Sequence, residues 1–158
     1  MWNAQVKALN DFLTAPPVFS GYAASSQSIP NGNVMTALNL DTEVLDSDGG
    51  HSTITNTSRY TATVAGTYLV IGSVGFTSTS GGDRRIQIAL NGGSITGSGN
   101  SMDPSQAVLH GLMTAALVTM NGSSDYVEVM TAQSTAGALS TNNSGIYVPS
   151  MKVLWISR

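Results

Sequence analysis

The chain has 158 residues, 6 Lys and Arg against 9 Asp and Glu, a net charge of -3 and no cysteine. Disulfides and thiolate metal sites are thereby excluded, and the charge balance argues against a phosphate-backbone binder, which needs a basic patch. Charged residues make up only 9%, against about 25% in ordinary globular domains, while 21 Ser and 17 Thr supply small hydroxyls throughout.

Residues 2–14 carry an apolar stripe at helical period: Trp2, Val6, Leu9, Phe12 and Leu13. Pro16 and Pro17 stop it. A helix of three turns is marginal alone in water, so this arm is expected to dock on something. The segment lacks the apolar core of a secretory signal, and no run of 18 apolar residues suits a membrane helix. The expected division is therefore an anchoring arm over 1–17 and one domain over 18–158.

From Val18 onward the pattern has period two. Weak strands are expected at 18–24, 33–40 and 52–55, and a further one at 59–64. After Ala65-Gly66 comes a strand at 67–77 with Tyr68, Val70, Val74 and Phe76 on one face. Asp83 to Leu90 puts Ile86, Ile88 and Leu90 on one face and ends in Asn91-Gly92, a hairpin turn signal. Residues 106–120 form a long candidate strand. Asn121-Gly122-Ser123 then turns the chain into 126–130, and a last strand spans Ile146 to Ser157. The Ser, Thr, Gly and Asn clusters at 77–82, 91–101 and 133–145 read as loops. Many short strands without interleaved helices predict an all-β antiparallel sandwich.

Strands 67–77 and 106–120 carry apolar groups on both faces. A monomeric sandwich wets one face of each sheet, so its outward positions should be polar. Buried subunit faces, in contrast, are poor in Lys, Glu and Asp. Covered outer sheet surface, and hence an oligomer, is expected.

Chemistry is sparse. Asp41, Glu43, Asp46 and Asp48 precede Gly49-Gly50, and hard cations such as calcium favour oxygen ligands. Asp46 and Asp48 are the candidate ligands, but the run lacks the remainder of an EF-hand loop, and acidic residues also favour turns. His51 and His110 are the only histidines; His110 reads as a core or interface residue. Arg84-Arg85 reads as a strand-edge charge or an intersubunit partner for a carboxylate. No nucleophile elbow, phosphate loop or zinc motif is present, so no enzyme is expected.

The stretch TEVLDSDGGHSTITNTSRYTATVAGTYLVIGSVGF resembles the jelly-roll superfamily of tumour necrosis factor and the complement-type globular head. The matching residues are Thr42, Glu43, Asp46, Asp48, Gly49, Tyr60, Thr61, Gly66 and Tyr68. GDRRIQIALNGG is similar to that family's following strand. SGIYVPSMKVLWIS looks like its closing strand, with Tyr147-Val148-Pro149 in place of the usual Phe-x-Gly. The resemblance covers roughly residues 18–158. It implies a two-sheet jelly roll of about ten strands, and a homotrimer with Tyr60, Tyr68, His110, Tyr126 and Tyr147 as candidates for its interface; the tyrosines suit the inner core equally. Such domains also occur in bacteriophage virion proteins. The expectation is a virion structural protein: a trimeric capsid decoration protein on the virion surface, attached to the major capsid protein through its arm. It is expected to engage neither nucleic acid nor membrane and to need no cofactor, calcium being the one candidate. The alternative is the host-receptor- or glycan-binding head of a phage tail or head fibre, with loops 91–105 and 133–145 carrying recognition.

Overall fold

The computed structural model describes Val6, Asn10 and residues 13–158. Most of the segment read as a helix over 2–14, with Trp2, Leu9 and Phe12, lies outside the described residues. Val6 and Leu13 are described and exposed, and Thr14 Oγ1 donates to the Asn10 carbonyl at 2.9 Å.

The strands, in chain order, are β1 (Val18–Tyr22), β2 (Ser28–Ile29), β3 (Thr36–Ala37), β4 (Thr42–Asp46), β5 (Arg59–Thr61), β6 (Ala65–Phe76), β7 (Arg84–Leu90), β8 (Gly93–Ser94), β9 (Asn100–Met102), β10 (His110–Asn121), β11 (Tyr126–Gln133), β12 (Leu139–Ser140) and β13 (Ser150–Ser157). One sheet runs β10-β6-β13-β1-β4. The other runs β3-β11-β7-β8, with β5 on β11 and β9 on β7; β12 and β2 form a separate pair. Every pairing is antiparallel.

The period-two pattern locates the core. Phe19, Tyr68, Val70, Val74, Phe76, Met151 and Val153 point inward from the five-stranded sheet. They meet Tyr60, Ile86, Ile88, Val127 and Val129 from the other. The hairpin turn at Asn91-Gly92 forms as expected, with positive φ at both residues, 52° and 79°.

Three expected strands differ. Residues 52–55 make a turn, because Ser52 Oγ accepts the amides of Ile54 and Thr55 at 3.2 Å each. The long strand begins at His110 rather than 106. The last strand begins at Ser150. Pro149 has no amide to give a ladder, and Gly145–Tyr147 form a short 3-10 turn before it. The loops at 91–101 and 133–145 hold the small strands β8 and β12 and the start of β9.

Arg84 departs most from expectation. It is fully buried and neither an edge charge nor an exposed intersubunit partner. Its guanidinium donates to the carbonyls of Gly81, Gly82 and Thr79 at 2.6, 2.7 and 3.0 Å. Burial lowers its pKa against the raising effect of Asp103 and Asp83. Arg84 therefore pins the 79–82 loop from beneath, whereas Arg85 pairs with Asp83 on the surface.

Candidate subunit interface

The outward face of the five-stranded sheet can be read row by row from the strand register. Leu117 of β10 lies opposite Leu69 of β6, which lies opposite Leu154 of β13, which lies opposite Val18 of β1. The next row is Ala115, Ile71, Lys152, Ser20 and Leu45 of β4. The third is Met113, Ser73, Ser150 and Tyr22. Met113 is 63% exposed and Leu117 65%. Across these three rows, the widest spanning five strands at roughly 4.8 Å between strands, Lys152 is the single charged side chain. Its Nζ donates to Ser150 Oγ at 3.1 Å, and Ser150 in turn shares a 2.8 Å bond with Ser73.

This face is not flat. The 3-10 turn stands on it as a ridge, with Ile146 89% exposed at its crest. A depression of about 220 Å³ lies on one side, against Ser73, Gly111 and Met113. A wider one of about 600 Å³ lies on the other, against Ser20, Tyr22, Val44 and Lys152. Tyr147 lies across β6 and β10 because both strands carry glycine beneath it. A Cβ on Gly75 would come within 2.2 Å of the Tyr147 carbonyl oxygen, and one on Gly111 within 2.9 Å of its ring.

The structure separates the aromatic candidates that sequence left together. Tyr60 and Tyr68 are fully buried between the sheets, not on the outer face. The Tyr60 hydroxyl donates to Asp48 at 2.9 Å, and the Tyr68 hydroxyl to the Val64 carbonyl at 2.6 Å. Burial, then the Asp48 charge, pushes the Tyr60 phenol up; the same two causes push Tyr68 up to about 12. His110 falls on the inward row of β10, opposite Phe76, with Nε2 3.1 Å from the Gln106 carbonyl. Tyr126 lies on the other sheet beneath Arg59. Of the five candidates only Tyr147 sits on the apolar outer face. Leu69, Ile71, Met113, Leu117 and Leu154 were the missed residues; the strand alternation held that signal.

Asp46 and Asp48 are both engaged in turn structure. Asp46 accepts the amides of Gly49, Gly50 and His51 at 3.0, 3.2 and 3.0 Å, and Asp48 accepts from Tyr60 and Thr63. Among the described residues no three metal-ligating side chains gather.

No family model matches the sequence, and no curated protein matches it. Solved structures match. The globular domain of a zebrafish complement 1qA protein has a TM-score of 0.66 at 12% identity, covering 90% of this chain and 98% of that one. Crystal structures of murine APRIL at pH 8.5 and pH 5.0 each have a TM-score of 0.62 at 13% identity, covering 87% of this chain and 98% of that one. The fold is the complement-head and tumour-necrosis-factor jelly roll. This jelly roll pairs an outer face that is almost free of charge with a core that is closed without it, so the outer face is spare apolar surface.

Proposed function

We propose that the protein is a non-enzymatic assembly module: a homotrimer whose subunits cover one another's five-stranded sheets. The carrying observation is the apolar outer face, where Leu69, Ile71, Met113, Leu117 and Leu154 surround one lysine. A soluble monomer normally wets such a face with charge. The ridge at Ile146 beside two depressions gives the face relief, as a heterologous contact that closes into a ring requires.

The trimer serves as a bacteriophage virion structural protein, decorating the capsid surface. Support comes from the low charge and the 38 hydroxyl side chains among 158 residues, and from a jelly roll that offers contact surface rather than a reaction centre. The arm over 1–17, with Trp2, Val6, Leu9, Phe12 and Leu13, holds the trimer to the major capsid protein. Deleting residues 1–17 tests this. Loss of binding to capsids with the trimer intact supports the reading, and undiminished binding removes it.

A further inference from the structure

A separate concavity lies on the other sheet, away from the proposed subunit contact. It has a volume of about 450 Å³ and is bounded by the 49–56 segment, β5 and the turn before β11. We infer that this pocket binds an uncharged saccharide unit, recognised by the Arg59 guanidinium, the Asn56 amide and the surrounding hydroxyls.

The guanidinium is held in place before any ligand arrives. Its Nε donates to Glu128 at 3.2 Å, and its Cζ lies 4.1 Å from the Tyr126 ring centroid. Glu128 is buried and is also held by Ser58 at 2.7 Å. The two terminal nitrogens of Arg59 and the exposed Asn56 side chain have no protein partner among the described residues. They are five donors in a rigid fork less the one already used, plus an amide that both donates and accepts. Ser52, Thr55, Thr61 and Ser124 add hydroxyls to the same walls.

Charge selects the ligand class. Arg59 is matched by Glu128, and Glu43 is already hydrogen-bonded to His51 Nδ1 at 2.8 Å. Glu128, 3.2 Å from Arg59 Nε, offsets the guanidinium charge on the pocket wall, so an anion gains little there, and a cation would meet Arg59. A sugar brings hydroxyls that each donate and accept, and leaves no charge unpaired. Because β5 and β11 lie outside the five-stranded sheet, the pocket stays open when that sheet is covered. The inference does not rest on the trimer.

The test is a glycan array probed with the full-length protein, followed by titration with galactose, N-acetylglucosamine and glucuronic acid, read by amide chemical shifts. Binding of a neutral sugar with shifts at Arg59, Asn56 and Ser124 is expected. Arg59→Ala should weaken it at least tenfold. Because that change also strips Glu128 of its partner, Asn56→Gly serves as the second variant. Asn56 has φ 50°, which glycine adopts freely, so the fold is kept and only the amide is lost; a severalfold loss of binding is expected. The inference is overturned if no neutral sugar binds, if only glucuronic acid binds, or if neither variant weakens binding.

Discussion

Leu117 offers the sharpest perturbation of the proposed interface. Its side chain points outward from β10 and is 65% exposed in the free subunit. Complete burial of a leucine is worth about 1.5–3 kcal/mol, so covering the remaining two-thirds contributes about 1–2 kcal/mol per subunit. A ring of three uses it three times. Leu117→Ala keeps part of that surface, and should cost the trimer about 3 kcal/mol, or roughly a hundredfold in the association constant. Leu117→Asp places a carboxylate in the same covered position, where desolvation costs several kcal/mol per ion, and should leave only monomers. The isolated subunit should hardly notice either change, since exposed substitutions usually stay within about 0.5 kcal/mol. Leu112, the residue before Met113, is the control: it is 6% exposed and inward, so Leu112→Ala should lower subunit stability by about 2–5 kcal/mol. Sedimentation equilibrium reads association and chemical unfolding reads stability. A Leu117→Asp protein that still sediments as a trimer would refute the reasoning.

Other outcomes follow from the core. Tyr60→Phe removes the phenol that donates to Asp48, and should cost about 1.5–3 kcal/mol in urea unfolding. The phenols of Tyr60 and Tyr68 are pushed above the usual value of 10.0, Tyr68 to about 12. Their folded state thus favours the protonated form: the contribution is whole below pH 10 and is lost as pH rises beyond it, so alkaline unfolding should begin there and shift upward in Tyr60→Phe. Arg84→Met leaves the carbonyls of Thr79, Gly81 and Gly82 without their donor; about 2–4 kcal/mol should be lost, with early proteolytic cleavage within 77–82 as the local readout. Asp41 works on the acid side. Burial raises its pKa, but bonds from Ser25, Ala24 and Thr42 outweigh that and leave it lowered from 3.8. Its contribution is present above pH 3.8 and is lost as pH falls below that, so Asp41→Ala should flatten the acid limb of thermal stability against pH.

The jelly roll was legible because burial imposes an alternation on most of β6 and on the first five residues of β7. Tyr68, Val70, Val74 and Phe76 sit inside as that alternation requires. The Asn91-Gly92 turn was legible because few residue pairs accept two positive φ values. Residues 52–55 and 146–149 were not. Ile54 and Ile146 look like strand residues by composition, yet they are 86% and 89% exposed at turns, where a Ser52 hydroxyl and Pro149 set the backbone. Arg84 was misread because a double arginine advertises charge, while the carbonyls that bury one of the pair are backbone atoms that no sequence displays. The tyrosines could not be sorted by type: a phenol suits a core or an interface equally until its hydroxyl finds a partner, as Tyr60 does in Asp48 and Tyr68 does in the Val64 carbonyl. The two-faced apolar pattern was visible. Which face stayed open was decided by the pairing of β10, β6 and β13.

Sedimentation equilibrium of the full-length protein at micromolar concentration is the most direct measurement. A single species at three times the chain mass is predicted, with the amides of β6, β10 and β13 protected from hydrogen exchange. A species at the mass of one chain, with Met113 and Leu117 open to solvent, would contradict the account.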